Sequence, residues 1–78
     1  MKTYVLYDWF SDDEGGQGIC LTSEYKPNFN GLNTDKIGEF DTLIELADML
    51  YSNFPDWYVN AQEASNDAIR LWENLKRS

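Results

Sequence analysis

The chain has 78 residues, a net charge of −8 from 14 acids against 6 bases, and 42% hydrophobic residues. That length is one small domain, residues 1–78, and the hydrophobic content is enough for a core, which argues against a disordered chain. The negative field repels phosphate, so it disfavours direct binding to DNA, RNA or anionic lipid and favours a basic partner; solubility is the plainer explanation of the same charge.

One cysteine allows no internal disulfide, and histidine is absent. The N-terminus carries no basic–apolar leader pattern, and no apolar run approaches about 18 residues. A soluble, cytoplasmic protein is expected, in the host cytoplasm if a phage encodes it.

Residues 2–10, KTYVLYDWF, are rich in Val, Tyr, Trp and Phe and read as a strand. Neither face of that strand is cleanly polar, so it is expected to be central or covered on both sides. Residues 11–18, SDDEGGQG, read as a turn in which Gly15, Gly16 and Gly18 supply positive φ. Residues 18–26 read as a second strand, closing an antiparallel hairpin with a long acidic tip. Residues 27–35 read as loop, and residues 36–40 as a short third strand. Ile37 and Phe40 are three apart, so on a regular strand they do not share a face.

Residues 41–54, DTLIELADMLYSNF, form the organising element. At helical spacing Leu43, Leu46, Ala47, Leu50 and Phe54 share one side, while Asp41, Glu45, Asp48 and Ser52 share the other. Thr42 and Glu45 have the spacing of a capping box, and Pro55 ends the helix at Asn53 or Phe54. Residues 56–59 are ambiguous between linker, strand and helix start. Residues 61–77 form a second helix capped by Asn60 and Glu63. Ala61, Ala64, Ala68, Leu71, Trp72 and Leu75 lie on its apolar face, and Asp67–Arg70 and Glu73–Arg77 are spaced as ion pairs. The expected fold is α+β: an antiparallel β-hairpin or three-stranded sheet followed by two C-terminal helices packed on one face.

Catalytic chemistry is not indicated, and no enzyme activity is expected. A serine or cysteine nucleophile usually borrows a histidine base, and one cysteine cannot build a zinc site. Asp12, Asp13 and Glu14 lack the alternate spacing of a calcium loop, and the glycines after them lack the lysine of a phosphate loop. No metal and no cofactor are expected.

Two features point to a binding surface. Asp41, Glu45 and Asp48 span about 10 Å of helix with no base on that helix, Glu39 adds to them, and Asp12, Asp13 and Glu14 form a second cluster. If the hairpin tip and the helix lie on one side, they make a discontinuous negative patch. The chain also has 3 Trp, 5 Tyr and 4 Phe, so some aromatics must reach the surface, with Tyr51, Trp57 and Tyr58 around the inter-helix corner. In size, acidity and aromatic content the chain resembles small acidic inhibitors of phages and mobile elements, including DNA mimics that block restriction, repair or CRISPR enzymes. The likeness is one of composition, and no motif identifies a family. The expected partner is the basic groove of a nucleic-acid-binding protein. The alternative is a general interaction module (adaptor, antitoxin-like partner or homodimer) that uses exposed aromatics and a sheet edge.

Overall fold

A strand that carries apolar groups on both faces is satisfied only inside a sheet with a layer on each side. The computed structural model describes residues 2–29 and 32–77 and has that arrangement. β1 (Tyr4–Phe10), β2 (Gly15–Leu21), β3 (Asn28–Phe29) and β4 (Leu32–Phe40) form one antiparallel sheet in the order β2-β1-β4-β3. β1, β2 and β4 are the full-length strands, and β1 lies between the other two. Two helices follow, α1 (Leu43–Asn53) and α2 (Ala61–Arg77), so the fold is α+β as the sequence predicts.

The helices build the main core on one face of the sheet. Leu6, Phe40, Leu46, Leu50, Tyr58, Ala64 and Ala68 are its buried members. Burying a side chain of leucine or phenylalanine size stabilises by about 1.5–3 kcal/mol, so this set dominates the fold. Ala64 and Ala68 have no bulk beyond Cβ and are fully buried, which brings α2 close to its neighbours. Ala61, expected on the same face, is exposed instead, at the first residue of the helix.

β4 is longer than the sequence suggests, since most of the expected loop 27–35 is strand. Residues 30 and 31 of that expected loop lie outside the described residues. Leu6 pairs with Gly38 but Tyr7 pairs with Lys36, so Ile37 is an extra residue, a β-bulge. The bulge breaks the alternation of faces, and both Ile37 and Phe40 pack on the helix-side core. The expectation that spacing keeps them apart holds only for a regular strand.

The glycines also differ from expectation. The hairpin turn is short: Ser11 N donates to the Glu14 carbonyl at 2.8 Å, and β2 begins at Gly15. Gly16 and Gly18 are strand residues that face Trp9 and Tyr7 across the β1–β2 pair. A Cβ on Gly18 would stand 2.5 Å from the Tyr7 hydroxyl, and one on Gly16 3.0 Å from the Trp9 ring. These glycines make room for aromatic rings laid across the neighbouring strand.

β2 ends at Leu21, and a 3-10 turn, Thr22–Glu24, replaces the rest of the expected second strand. Because β2 and β3 occupy opposite edges, residues 22–27 must traverse the sheet. The Tyr25 ring lies 6.0 Å from that of Tyr7. The buried Thr34 hydroxyl bonds Tyr25 Oη at 3.2 Å and the Lys26 carbonyl at 3.0 Å, and Thr34 N donates to the Pro27 carbonyl. This crossing segment covers the face away from the helices, where Val5 and Cys20 are paired and buried.

Replacing Leu46 by Ala removes a fully buried side chain and should cost about 2–5 kcal/mol. Ile44→Ala, on the solvent side of the same helix, should cost under about 0.5 kcal/mol. Urea unfolding of the two variants checks this, and equal losses would contradict the assigned helix face.

Candidate functional site

The acids expected to form one patch sit in two places. Glu39 ends β4 and Asp41 precedes α1, while Glu45 lies in the first turn of α1. Thr42 caps that helix by accepting from Glu45 N at 3.2 Å. The Glu45 carboxylate reaches back to Asp41 N, so the predicted capping box closes one residue early. The start of the chain then folds onto this corner. Lys2 Nζ pairs with Glu45, Lys2 N donates to Glu39 at 3.0 Å, and Thr3 N donates to Asp41 at 2.8 Å. Lys36 also pairs with Glu39.

These contacts correct the expectation of an unrelieved acidic stripe. No base on α1 relieves it, but Lys2 does so from 43 residues away. The Lys2 ammonium holds the Glu45 carboxyl below its usual range. The Lys36 ammonium, helped by Lys2 N–H, does the same for Glu39, and the Thr3 N–H does so for Asp41. Asp48, one turn further on, is exposed and makes no ion pair among the described residues.

Asp12, Asp13 and Glu14 occupy the exposed hairpin tip, at the other end of β1. At about 3.3 Å per residue, β1 separates the two groups by roughly 20 Å, so tip and corner do not merge into one patch. The tip has different neighbours. Asp8 stands directly opposite Asp35 in the β1–β4 register, with Gln17 on its other side at 3.5 Å. Five acids therefore gather at this end of the sheet, and none of the ion pairs among the described residues involves them. Asp8 and Asp35 were missed because 27 residues separate them, and only the strand register brings them together.

The aromatics divide as well. Trp57 is 60% exposed and packs against Phe54 with the rings tilted by 45° and their centroids 5.6 Å apart, and Tyr51 is partly exposed on α1. Tyr58, expected beside them, is instead a core residue whose hydroxyl donates to Asp67 at 2.8 Å. Burial first, then that bond, pushes its pKa up to about 12. Asp67 also forms the expected pair with Arg70 at 2.9 Å, whereas Glu73 and Arg77 do not close theirs.

No group of side chains among the described residues is arranged to hold a metal ion. The Cys20 thiol is buried, and that burial raises its pKa, the reverse of what a reactive thiolate requires. No helix among the described residues is long and apolar enough to cross a membrane. No protein-family model matches the chain, and comparison with curated proteins and with solved structures gives no significant match. The fold and its surfaces therefore define a small acidic α+β domain.

The corner carboxylates have native pKa values below their ordinary 4.5 and 3.8, so the folded chain binds fewer protons than the unfolded one in acid. Their contribution is complete above the ordinary values and is lost as pH falls through the lowered ones. Lys2 is raised above its ordinary 10.5, so its share is lost only in strong alkali. Stability measured by urea unfolding should fall less between pH 7 and pH 3 in Lys2→Met than in the parent chain. Parallel losses would show that the corner does not depend on Lys2.

Proposed function

We propose that the chain is a non-catalytic acidic binding protein that docks on a basic groove of a nucleic-acid-binding protein, as an inhibitor that stands in for nucleic acid. The observation that carries this reading is the acid distribution. Lys2 and Lys36 pair with the corner acids, whereas Asp8, Asp35, Asp12, Asp13 and Glu14 at the opposite end make no ion pair among the described residues. Like charges directly opposite on a strand pair are destabilising by a few tenths of a kcal/mol or more. A surface that keeps such a pair suits a partner whose lysines and arginines supply the missing charge. The docking face is accordingly the hairpin end of the sheet, with Asp48 outside it and Glu39, Asp41 and Glu45 serving the fold.

A second reading, a general interaction module, draws support from Trp57 and from the free edge of the sheet. Its binding would be insensitive to salt, and it would fail on Trp57→Ala.

Asp35→Asn should stabilise the fold by about 0.2–1 kcal/mol by removing one of the facing charges. The tagged chain should capture a nucleic-acid-binding protein from bacterial lysate, and duplex DNA should displace it. Reversing the tip by Asp12→Lys, Asp13→Lys and Glu14→Lys should abolish that capture, while Lys2→Met should spare it. Capture that ignores both DNA and the reversed tip would sink the mimic reading.

A further inference from the structure

β2 is the terminal strand on its side of the sheet, so one row of its backbone donors and acceptors has no strand partner among the described residues. Edge strands are normally guarded by lysines, prolines or bulges. β2 has none of these: its seven residues, GGQGICL, carry no charge and no proline, and its pairing with β1 is regular. The C-terminal half of α2 runs alongside it and leaves two cavities between helix and strand. One, of about 560 Å³, is lined by Tyr4, Ile19, Cys20, Leu21, Trp72 and Leu75 among others. The second, of about 190 Å³, includes Gly18, Ile19, Leu71 and Leu75. They share Ile19 and Leu75, and so form one groove with two depressions.

Along β2 the first cavity meets Ile19, Cys20 and Leu21, and the second meets Gly18 and Ile19. An extended chain presents alternate side chains to the same side, about 6.6 Å apart. An open strand edge beside an apolar groove is the geometry for strand addition, in which backbone bonds give affinity and alternate side chains fill pockets. We propose that β2 and α2 form a docking groove for an extended peptide segment of a partner, with apolar side chains at alternate positions and a basic end.

Charge selects this occupant. Asp12, Asp13 and Glu14 lie beyond the Gly15 end of β2, and Glu24 lies just past the Leu21 end. Lys76, the base on the groove wall, sits at the Leu21 end, 5.5 Å above the Trp72 ring. A cationic end is therefore best placed beside the hairpin tip. A second copy fits less well. Antiparallel β2–β2 pairing would set the tip acids of each copy towards Glu24 of the other, between chains of net charge −8 each. The groove rests on the acidic-protein reading only through the tip, and the two can fail separately.

The probe is a blocked synthetic octapeptide, two lysines followed by alternating valine and threonine, titrated into the full isotopically labelled chain. Amide shifts should concentrate at Gly15–Leu21 and in the last turns of α2. Leu75→Lys should weaken binding roughly tenfold or more, whereas Ile44→Lys on the outer helix face should not change it. A peptide with serine in place of valine should bind far more weakly. Absence of shifts at millimolar peptide, or shifts around Ile44 and Ile69, would overturn the groove. Equal binding of the serine peptide, abolished by salt or by reversing the tip, would overturn it too and leave only the acidic surface. Valine-dependent binding without DNA-displaceable capture would keep the groove and discard the mimic. A dimer in sedimentation that Leu75→Lys dissociates would assign the edge to self-pairing and so refute a peptide partner.

Discussion

Val5 and Leu6 are adjacent in one strand, and both are fully buried. Adjacent residues point to opposite faces, so this pair requires a covering layer on each side of the sheet. The helices provide one layer through Leu46, Leu50, Ala64 and Ala68. Among the described residues no further α-helix remains for the other. The connection from β2 to β3 supplies it, crossing from one edge of the sheet to the other, with Tyr25 against Tyr7 and Thr34. The crossing is itself imposed by the strand order, which puts β2 and β3 on opposite edges.

The parts of the fold that were legible in the sequence are those encoded within a turn or two of helix. The bounds of α2, the Thr42 and Asn60 caps, the stop at Pro55 and the β1–β2 hairpin depend on residues three or four apart or on a local turn. The bulge at Ile37 was not legible. It is a mismatch between two strands and leaves no mark in either one alone. The role of Gly16 and Gly18 was misread for a similar reason. Glycines after a run of acids resemble a turn until the rings of Trp9 and Tyr7 are placed over them.

The candidate site shows the same division more sharply. Spacing along α1 correctly placed Asp41, Glu45 and Asp48 on the polar side. It could not show that Lys2 would pair with Glu45 and Thr3 N–H would bond Asp41, because those contacts span 43 and 38 residues. Helix periodicity reports which side chains share a face. It does not report what else reaches that face. The hairpin-end acids, which make no ion pair among the described residues, include two that only the sheet register unites. Tyr58 turned inward for a packing reason: the inter-helix corner needs one ring in the core and a bond to Asp67, and Trp57 is left outside.

The crossing segment also gives the single thiol a use as a clock. Cys20 lies on the face that residues 22–27 cover, and a native fold leaves it 6% exposed. A thiol-specific reagent reaches it freely only when β2 is uncovered, either by the crossing segment or along the groove beside α2 that Cys20 also lines. The rate of alkylation in the intact protein thus times the opening of the structure around β2. In a domain with a single cysteine, every molecule reports from the same position, and no competing thiol blurs the signal.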